Sequence, residues 1–408
     1  AASDVYKRQA QYGSRRRYLV PQILEKRGML AALYTDSNAY SAVGRMVTLL
    51  SKAGLRLGSF NRMMRRNPNI PKEKVYSNDK LSFKLLKNQL FKASPYKTMA
   101  TIFEGSSRQY IKWGTGDAEW LYCMFIENIE FTEYAKKRGL KVIADIYENP
   151  YIFEELVKEF DLPELGCLIG QKENIEAQAR LRRQYVDRLL AVADEYLIPS
   201  SYVADSLRKS PNFDVGKVNI VPYASSLTNK EYCNHGERGR IIWVGNDPVR
   251  KGLAYAVRAV ERLKKEYGFI DLRVIGPVPE ELRGSEYYKN VTFLGYLNKA
   301  QLSEEFQKAD MFVFPTLAEG FAGVLLEAAS FGVPIITTRA SGFEDGFPGI
   351  FVKERDVEGI VDAVKSLIED RELRSKMSHD FFEFSKGQNA ETFGNGLMEI
   401  IGRNTHNV

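Results

Sequence analysis

The chain has 408 residues, of which 44% are hydrophobic and 27% charged, and a formal net charge of +6. That length exceeds one ordinary core and points to two domains, and no run of roughly eighteen apolar residues is present that would make a membrane-spanning helix. The three cysteines, Cys123, Cys167 and Cys233, are odd in number and lack metal-ligand spacing, so they are expected to be reduced packing residues of a cytoplasmic protein.

Residues 1–9, Ala-Ala-Ser-Asp-Val-Tyr-Lys-Arg-Gln, read as a translated sequencing adapter and are expected to lie outside the fold. Arg17 to Arg27 has apolar residues at helical spacing, and Gly28 stops it. Met29 to Tyr34 reads as a strand. A doubly wound domain should place a strand before that first helix, so the first domain is expected to be truncated at its start and to fold poorly. Thr98 to Glu104 and Lys141 to Ile146 read as strands, with a helix from Trp120 to Arg138 between them. A strand at Val192 to Pro199, a helix from Ser201 and a short strand at Lys217 to Pro222 close this half. The first domain is thus assigned to residues 10–222, and the polar, turn-rich residues 223–238 to a linker.

The second domain, 239–385, alternates strands and helices more regularly. Strands are expected at Arg240–Val244, Leu272–Ile275, Val291–Leu294, Met311–Pro315 and Val333–Thr338. Helices are expected at Lys251–Tyr267, Lys299–Ala309, Val324–Phe331, Asp356–Ile368 and Arg371–Phe384. A last helix within residues 386–403 is expected to pack back toward the first domain. Repeated strand–helix units give parallel sheets with right-handed crossovers, and ligands of such sheets bind beyond the carboxyl ends of the strands.

That rule selects three loops of the second domain. Gly245-Asn246-Asp-Pro-Val-Arg250-Lys251-Gly252 puts two cations at a helix start, which suits a diphosphate and equally suits a solvated surface. The Gly276-Pro277 turn and Gly295-Tyr296-Leu297 can wall a flat base or be ordinary turns. Glu319-Gly320-Phe321-Ala322-Gly323 leads into a helix that carries Glu327, with small residues that let backbone amides approach an anion. Helical rise puts the two carboxylates roughly a dozen ångströms apart, too far for one proton relay. The spacing suits the two ends of an extended ligand. Glutamates are common in helices, but Glu327 lies among Leu325, Leu326, Ala328 and Ala329, where an unpartnered carboxylate is costly.

Glu-x7-Glu with Gly-Phe after the first Glu, between a Phe-Pro strand end and Gly-x-Pro-Ile-Ile, resembles the retaining glycosyltransferases of the GT-B fold. The closest resemblance is to family four, the group-one glycosyltransferases. It extends from Val244-Gly245 through Arg250-Lys251-Gly252 and Phe293-Leu294-Gly295 to Glu327. In the first domain it is carried by Ala193-Asp-Glu-Tyr-Leu-Ile-Pro-Ser200 and Val221-Pro222-Tyr223. It implies two Rossmann-like doubly wound α/β domains with a cleft between them.

The resemblance also implies roles. Arg250 and Lys251 match the pair that holds the donor diphosphate and stabilises the leaving nucleotide. Glu319 matches the carboxylate that contacts the transferred sugar. Gly320, Phe321, Ala322, Gly323 and Val324 match the loop whose amides face sugar and phosphate. Glu327 matches the ribose ligand, and Leu297 lies where the base packs. Gly245 and Asn246 belong to the same donor loop, but many relatives carry Arg where Asn246 stands, which leaves one phosphate contact open. The three histidines, His235, His379 and His406, are not where relatives place a first-domain His. Glu148 and Asn149, in Asp145-Ile-Tyr-Glu148-Asn149-Pro150, are candidates to contact the sugar or simply a helix-start turn. Gly13-Ser14 stands in for the family's glycine-rich loop on the acceptor side.

The expected function is retaining transfer of a sugar from a nucleoside diphosphate sugar to a glycan or lipid-linked acceptor in cell-envelope polysaccharide synthesis. No Asp-x-Asp triplet occurs, so no metal is implied and no cofactor beyond the donor substrate. The alternatives are a non-catalytic GT-B-like nucleotide or glycan binder and a GT-B sugar-nucleotide epimerase.

Between Arg45 and Lys97 stand thirteen basic residues against Glu73 and Asp79, interleaved with Leu49, Leu50, Leu55, Leu57, Phe60, Met63, Met64, Phe83, Leu85, Leu86 and Phe91. This pattern suits an anionic membrane surface, nucleic acid or a solvated helical face. With the resemblance, peripheral contact at the inner face of the cell membrane is expected, and no nucleic-acid partner.

Overall fold

The computed structural model describes residues 7–11, 14–54, 66–224, 229, 231–344 and 346–403. Its strands form two sheets in which every pair is parallel. The first holds β1 (Lys7–Ala10), β2 (Leu30–Asp36), β3 (Val75–Asn78), β4 (Trp120–Met124), β5 (Lys141–Asp145), β6 (Glu195–Ile198) and β7 (Val218–Ile220), in the order β3-β2-β1-β4-β5-β6-β7. The second holds β8 (Arg240–Val244), β9 (Asp271–Ile275), β10 (Val291–Gly295), β11 (Met311–Phe314), β12 (Ile335–Thr338) and β13 (Ile350–Val352), in the order β10-β9-β8-β11-β12-β13. Both orders reverse direction in the middle, at β1/β4 and at β8/β11. Chain crossing to opposite faces at that point leaves a crevice at the strands' carboxyl ends. The two sheets are therefore two Rossmann-like domains of the GT-B kind.

The central strands β11 and β12 are buried on both faces, which is why they read as continuous apolar runs such as Met311-Phe-Val-Phe314. The helices between the second-domain strands are α9 (Leu253–Glu266), α10 (Glu280–Arg283), α11 (Lys299–Lys308) and α12 (Gly323–Ala329). They are followed by α13 (Val357–Glu369), α14 (Arg371–Lys386) and α15 (Ala390–Arg403). Local chemistry sets several starts: the Asp356 and Asp370 side chains accept from the amides of Gly359 and Leu373 at the heads of α13 and α14. Strand β13 was not expected from the sequence.

The first domain departs further from expectation. Its helices are α1 (Leu19–Lys26), α2 (Ala42–Lys52), α3 (Asp79–Leu90), α4 (Pro95–Trp113), α5 (Ile129–Lys137), α6 (Ile152–Leu156), α7 (Lys172–Val192) and α8 (Ser201–Leu207). The strand expected at Thr98–Glu104 lies inside α4, because Ser94 caps Lys97 N and Pro95 occupies the first turn. The helix expected at Trp120–Arg138 is instead β4 followed by α5, since all five residues of Trp120–Met124 are buried between neighbouring strands.

The strand expected to be missing is present. Lys7–Ala10 pairs with β2 on one side and β4 on the other, so residues 7–9 are not outside the fold, and the start of the first sheet is filled. Residues 1–6 lie outside the described residues. The backbone of β1 satisfies the sheet whatever its side chains, but those side chains are ill suited to a sheet centre. Lys7 is 1% exposed, and burial lowers its amine from an ordinary 10.5 to about 8, against the opposing pull of Glu119.

The domain boundaries are also less simple than the assignment of residues 10–222 to one unit. After β5 the chain leaves the first sheet. Ile152, Leu156, Phe160, Leu165 and Leu168 are buried in the hydrophobic core of the second domain. This strap, residues 152–171, is fixed there by charge: Arg258 donates from Nε and Nη2 to the two Glu164 oxygens, both at 2.5 Å. Glu159 accepts from Tyr255 OH at 2.7 Å and from Arg355 Nε at 2.8 Å. In the opposite direction α15 packs Phe393, Leu397, Ile400 and Ile401 with Tyr18, Val20 and Leu24 of the first domain. Residues 221–239 carry no helix or strand among the described residues. Cys123 is buried, whereas Cys167 is exposed on the strap and has no packing role.

Because the lysine pKa is lowered on folding, the cost of burying Lys7 is full below about pH 8 and vanishes as pH approaches 10.5, where both states are neutral. Lys7→Met is expected to raise stability in urea unfolding by about 3 kcal/mol at pH 7, a gain that shrinks toward zero by pH 10.5. Equal stability of the two proteins at pH 7 would mean that β1 does not bury this side chain.

Candidate functional site

The loop after β8 is built to hold two cations at the sheet edge. Gly252 at its end has φ +66, and a side chain there would place Cβ 2.0 Å from the Pro315 carbonyl oxygen, so only glycine lets α9 start so close to β11. Trp243 Nε1 donates to the Lys251 carbonyl at 3.0 Å and fixes the turn from beneath. Asp247 accepts from Arg250 N and Arg250 Nε, both at 3.1 Å, and Arg250 Nη1 donates to the Ala318 carbonyl at 3.1 Å. The guanidinium is therefore oriented before any ligand arrives.

Glu319 sits against this pair. Its Oε1 lies 2.6 Å from Arg250 Nη1 and 2.9 Å from Lys251 Nζ, and the three side chains are 13%, 16% and 11% exposed, respectively. Lys251 Nζ also lies 4.8 Å from the centre of the Phe314 ring. Burial pushes the Glu319 carboxyl up, but Lys251 and Arg250 outweigh it and hold the group below the ordinary carboxylate range. Burial lowers the Lys251 amine, and Glu319 only partly restores it. Burial also works against the Arg250 charge, yet Glu319 more than compensates. Each charge persists in this dry setting because the others are there.

The loop carrying Glu319 is pinned on both sides. Glu319 N donates to Ala340 O and Ala322 N to Ser341 O, both at 2.9 Å, so the Ala322 amide is already engaged. Ser200 Oγ of the first domain donates to Gly320 O at 2.7 Å. A side chain at 320 would bring Cβ within 1.7 Å of the Tyr147 carbonyl oxygen, so the close approach of the domains here requires glycine. Phe321 packs between Tyr223, which it meets edge-on with ring centres 6.1 Å apart, and Phe343, tilted against it at 4.3 Å. Gly323 and Val324 form the first turn of α12. Glu327 is half-buried on α12, whose Leu325, Leu326, Ala328 and Ala329 face the core.

A cavity of about 310 Å³ lies over this cluster and brings the two domains together. Arg15, Arg16, Met124, Tyr147, Glu148 and Tyr223 line it from the first domain and its exit, and Arg250, Glu319, Gly320 and Phe321 from the second. It adjoins a cavity of about 770 Å³ through Arg15, Tyr147 and Glu148. It adjoins another of about 710 Å³, which Asn246 lines, through Glu148 and Arg250.

Of the first-domain candidates, Glu148 reaches this junction, where it accepts a hydrogen bond from Arg182. Asn149 does not: its Oδ1 accepts from Tyr151 N at 2.9 Å and its Nδ2 donates to Tyr202 OH at 3.1 Å, the bonding of a turn. Ser14 accepts from Arg17 N through its carbonyl and lines none of these cavities. Gly13 lies outside the described residues. Gly245, Leu297 and Glu327 line none of the three cavities, and Leu297 is half-buried beside the exposed Tyr296.

Arg15, Arg16 and Tyr147 were not singled out in the sequence, and Tyr223 only as the end of the matching run Val221-Pro222-Tyr223 and not as a site residue. The only local signal is the run Arg15-Arg16-Arg17 after Ser14. Arg16, Arg17 and Tyr18 all have positive φ, a costly backbone for residues with side chains. The strain turns Arg16 inward. Its guanidinium bonds the buried Asp145 with two nitrogens, each at 2.8 Å, and lies 3.6 Å from the Tyr223 ring centre. Tyr122 and Tyr223 also donate to Asp145.

Residues 238–370 match the profile described as "Glycosyl transferases group 1". The chain is 28% identical over 159 residues to glycogen synthase of Mycobacterium tuberculosis, covering 35% of this chain and 38% of that protein. It is 37% identical over 151 residues to the capsular polysaccharide biosynthesis glycosyltransferase CapM of Staphylococcus aureus, covering 34% and 39%. The matches thus span about two fifths of these relatives' length. In fold the chain is similar to sucrose-phosphate synthase of Thermosynechococcus elongatus, with a TM-score of 0.64 at 14% identity over 98% of this chain and 99% of that one.

Removing the Glu319 charge leaves burial as the main influence on Lys251. Glu319→Gln is expected to lower the Lys251 pKa further, read as an earlier titration of its 13Cε signal. An unchanged titration would separate the two side chains in solution.

Proposed function

We propose, for a chain whose second domain belongs to the group-1 glycosyl transferases and whose fold is GT-B, that it moves a sugar from a nucleoside diphosphate sugar to an acceptor with retention at the anomeric carbon. The observation that carries this reading is the carboxylate of Glu319 held between Arg250 and Lys251 at the crossing of the two domains. Two buried cations share the one carboxylate that lies in the cavity, and the more exposed Asp247 is bonded to Arg250 as well. A donor diphosphate satisfies both cations more completely and releases Glu319 to accept from sugar hydroxyls. Occupancy by the donor thus exchanges one anion for another without exposing either cation to an apolar wall.

In the transition state the sugar resembles an oxocarbenium ion and charge accumulates on the departing diphosphate. Arg250, already oriented by Asp247 and Ala318 O, and Lys251 stabilise that charge without reorganising. These cations take the electrostatic part that a divalent ion plays elsewhere. Attack comes from the face the nucleotide leaves, where the departing phosphate accepts the acceptor's proton. Glu327 and Leu297 are assigned to ribose and base, and Glu148 to the acceptor side of the junction.

The acceptor is assigned to cell-envelope polysaccharide synthesis, a reading supported by the relative CapM, which is named for capsular polysaccharide biosynthesis, and is met at the inner face of the membrane. Leu49, Phe83 and Phe91 are 68%, 55% and 76% exposed, and Lys52, Lys84, Lys87 and Lys92 are exposed beside them in sequence. Residues 55–65, including Leu55, Leu57, Phe60, Met63 and Met64, lie outside the described residues. The attachment assigned is peripheral; no helix among the described residues is long and apolar enough to cross a membrane.

A thermal-shift panel of UDP-, GDP- and ADP-sugars identifies the donor. With that donor, Arg250→Ala is expected to reduce kcat by about 10²–10³-fold, and Glu319→Ala to abolish transfer while nucleotide binding persists in part. Full transfer by Glu319→Ala would remove this assignment. On vesicles, the protein is expected to sediment with anionic and not with neutral lipid, and to lose that preference at high salt. Equal partition to both would contradict membrane attachment through this face.

A further inference from the structure

We propose that the cavity of about 770 Å³ in the first domain holds the hydrocarbon chain of an anionic lipid acceptor, with the acceptor's phosphate at the cavity neck beside Arg15 and Arg182. This rests on the transfer reading above and names the acceptor's class.

The cavity lies between α3, α4 and α7, and its size suits a single extended ligand. Its apolar wall comes from Leu85, Met99, Ile102, Phe103 and Ile126. A glycan would need a wall rich in hydroxyl and amide groups. Here the Asn88 amide donates to Thr101 Oγ1 at 3.0 Å and the Gln178 amide to the Asn174 carbonyl at 3.3 Å, within their own helices or across to the next.

The inner end is charged. Arg15, Tyr147 and Glu148 line both this cavity and the one over Arg250 and Glu319. Arg15 Nη2 lies 3.1 Å from Glu127 Oε1, and its side chain is still 45% exposed. The Arg182 side chain is 8% exposed, bonds Glu148 through Nη2, and among the described residues its Nε has no hydrogen-bond partner. A buried guanidinium with an unmet donor is costly and calls for an anionic oxygen. A phosphate at this neck sets the acceptor's reacting end at the junction with the donor cavity.

The outer end is apolar and basic. Leu85, Asn88, Lys92 and Ala93 of the cavity wall belong to α3 and the turn after it, the same stretch that exposes Phe83 and Phe91 beside Lys84 and Lys87. Lys87 Nζ lies 6.0 Å from the Phe91 ring centre. A surface of this kind rests at the boundary of headgroups and acyl chains. A chain leaving the bilayer there meets an apolar path inward and, at its end, the guanidiniums of Arg15 and Arg182, each also paired with a carboxylate of Glu127 or Glu148.

Alkyl phosphates test this on the full-length protein. Hexyl, octyl and decyl phosphate, each below its micelle concentration, and inorganic phosphate are titrated by calorimetry, with UDP titrated into the same samples. Affinity is expected to rise about threefold to fourfold per added methylene and to be far weaker for inorganic phosphate. Ile102→Trp and Met99→Trp fill the cavity and are expected to abolish the dependence on chain length while UDP affinity and the melting temperature stay unchanged. A dependence that survives in both variants, or inorganic phosphate binding as tightly as decyl phosphate, would overturn the proposal. Normal UDP binding without any chain-length dependence sinks the lipid site alone, whereas chain-length dependence in a protein that binds none of the UDP-, GDP- and ADP-sugars of the panel above sinks the transfer reading and leaves the lipid site standing.

Discussion

Around Glu319, Arg250 and Lys251 three charges share a volume with little water, and the surroundings of the cleft follow from keeping them there. An isolated carboxylate or ammonium in such a place would give up its charge. Together they hold it, and every neighbour serves the arrangement. Asp247 and the Ala318 carbonyl orient the guanidinium, Trp243 fixes the Lys251 backbone, and the Phe314 ring lies beside the ammonium. The loop of Glu319 is tied to Ala340 and Ser341 on one side and to Ser200 on the other. A site with its cations already in position stabilises developing negative charge without having to move anything.

Keeping those charges dry requires the first domain to close over them, and the chain supplies the closure by crossing twice. The strap of residues 152–171 carries first-domain sequence into the second core, with its buried Glu159 and Glu164 neutralised by Arg355, Tyr255 and Arg258. Helix α15 returns the other way onto Tyr18 and Val20. Beside Phe393 of α15, Arg16 is clamped between Asp145 and the Tyr223 ring, and Tyr223 meets the Phe321 ring of the Glu319 loop edge-on. The donor loop, the chain between domains and the strained Arg16–Tyr18 segment therefore form one packed unit. A change in the donor loop cannot leave the others undisturbed, because packed groups shift together.

How far the fold could be read depended on burial. Second-domain strands such as Ile241-Ile-Trp243 and Phe312-Val-Phe314 are apolar on both faces and are legible as strands from composition and length alone. Trp120-Leu-Tyr-Cys-Met124 is equally buried but runs into an amphipathic helix, so its periodicity is hidden. Thr98 to Phe103 looks extended because of its threonines and isoleucine, yet Ser94 and Pro95 upstream start a helix that overrides that preference. Lys7-Arg-Gln9 has no strand signal at all. Its place is set by the gap between β2 and β4, a demand of the sheet and not of the residues.

By itself the sequence picked out the charged and glycine-rich loops of the second domain. Arg250-Lys251, Glu319-Gly320-Phe321 and Glu327 are short local patterns whose positions follow from strand ends and helix starts, which nearest-neighbour residues decide. The tertiary structure alone decided what faces them. Arg15, Tyr147 and Glu148 reach Arg250 and Glu319 only because a strap and a returning helix hold the two domains against each other. Contacts between residues so distant in the chain depend on how whole surfaces fit, and surface fit leaves no periodic mark in a sequence.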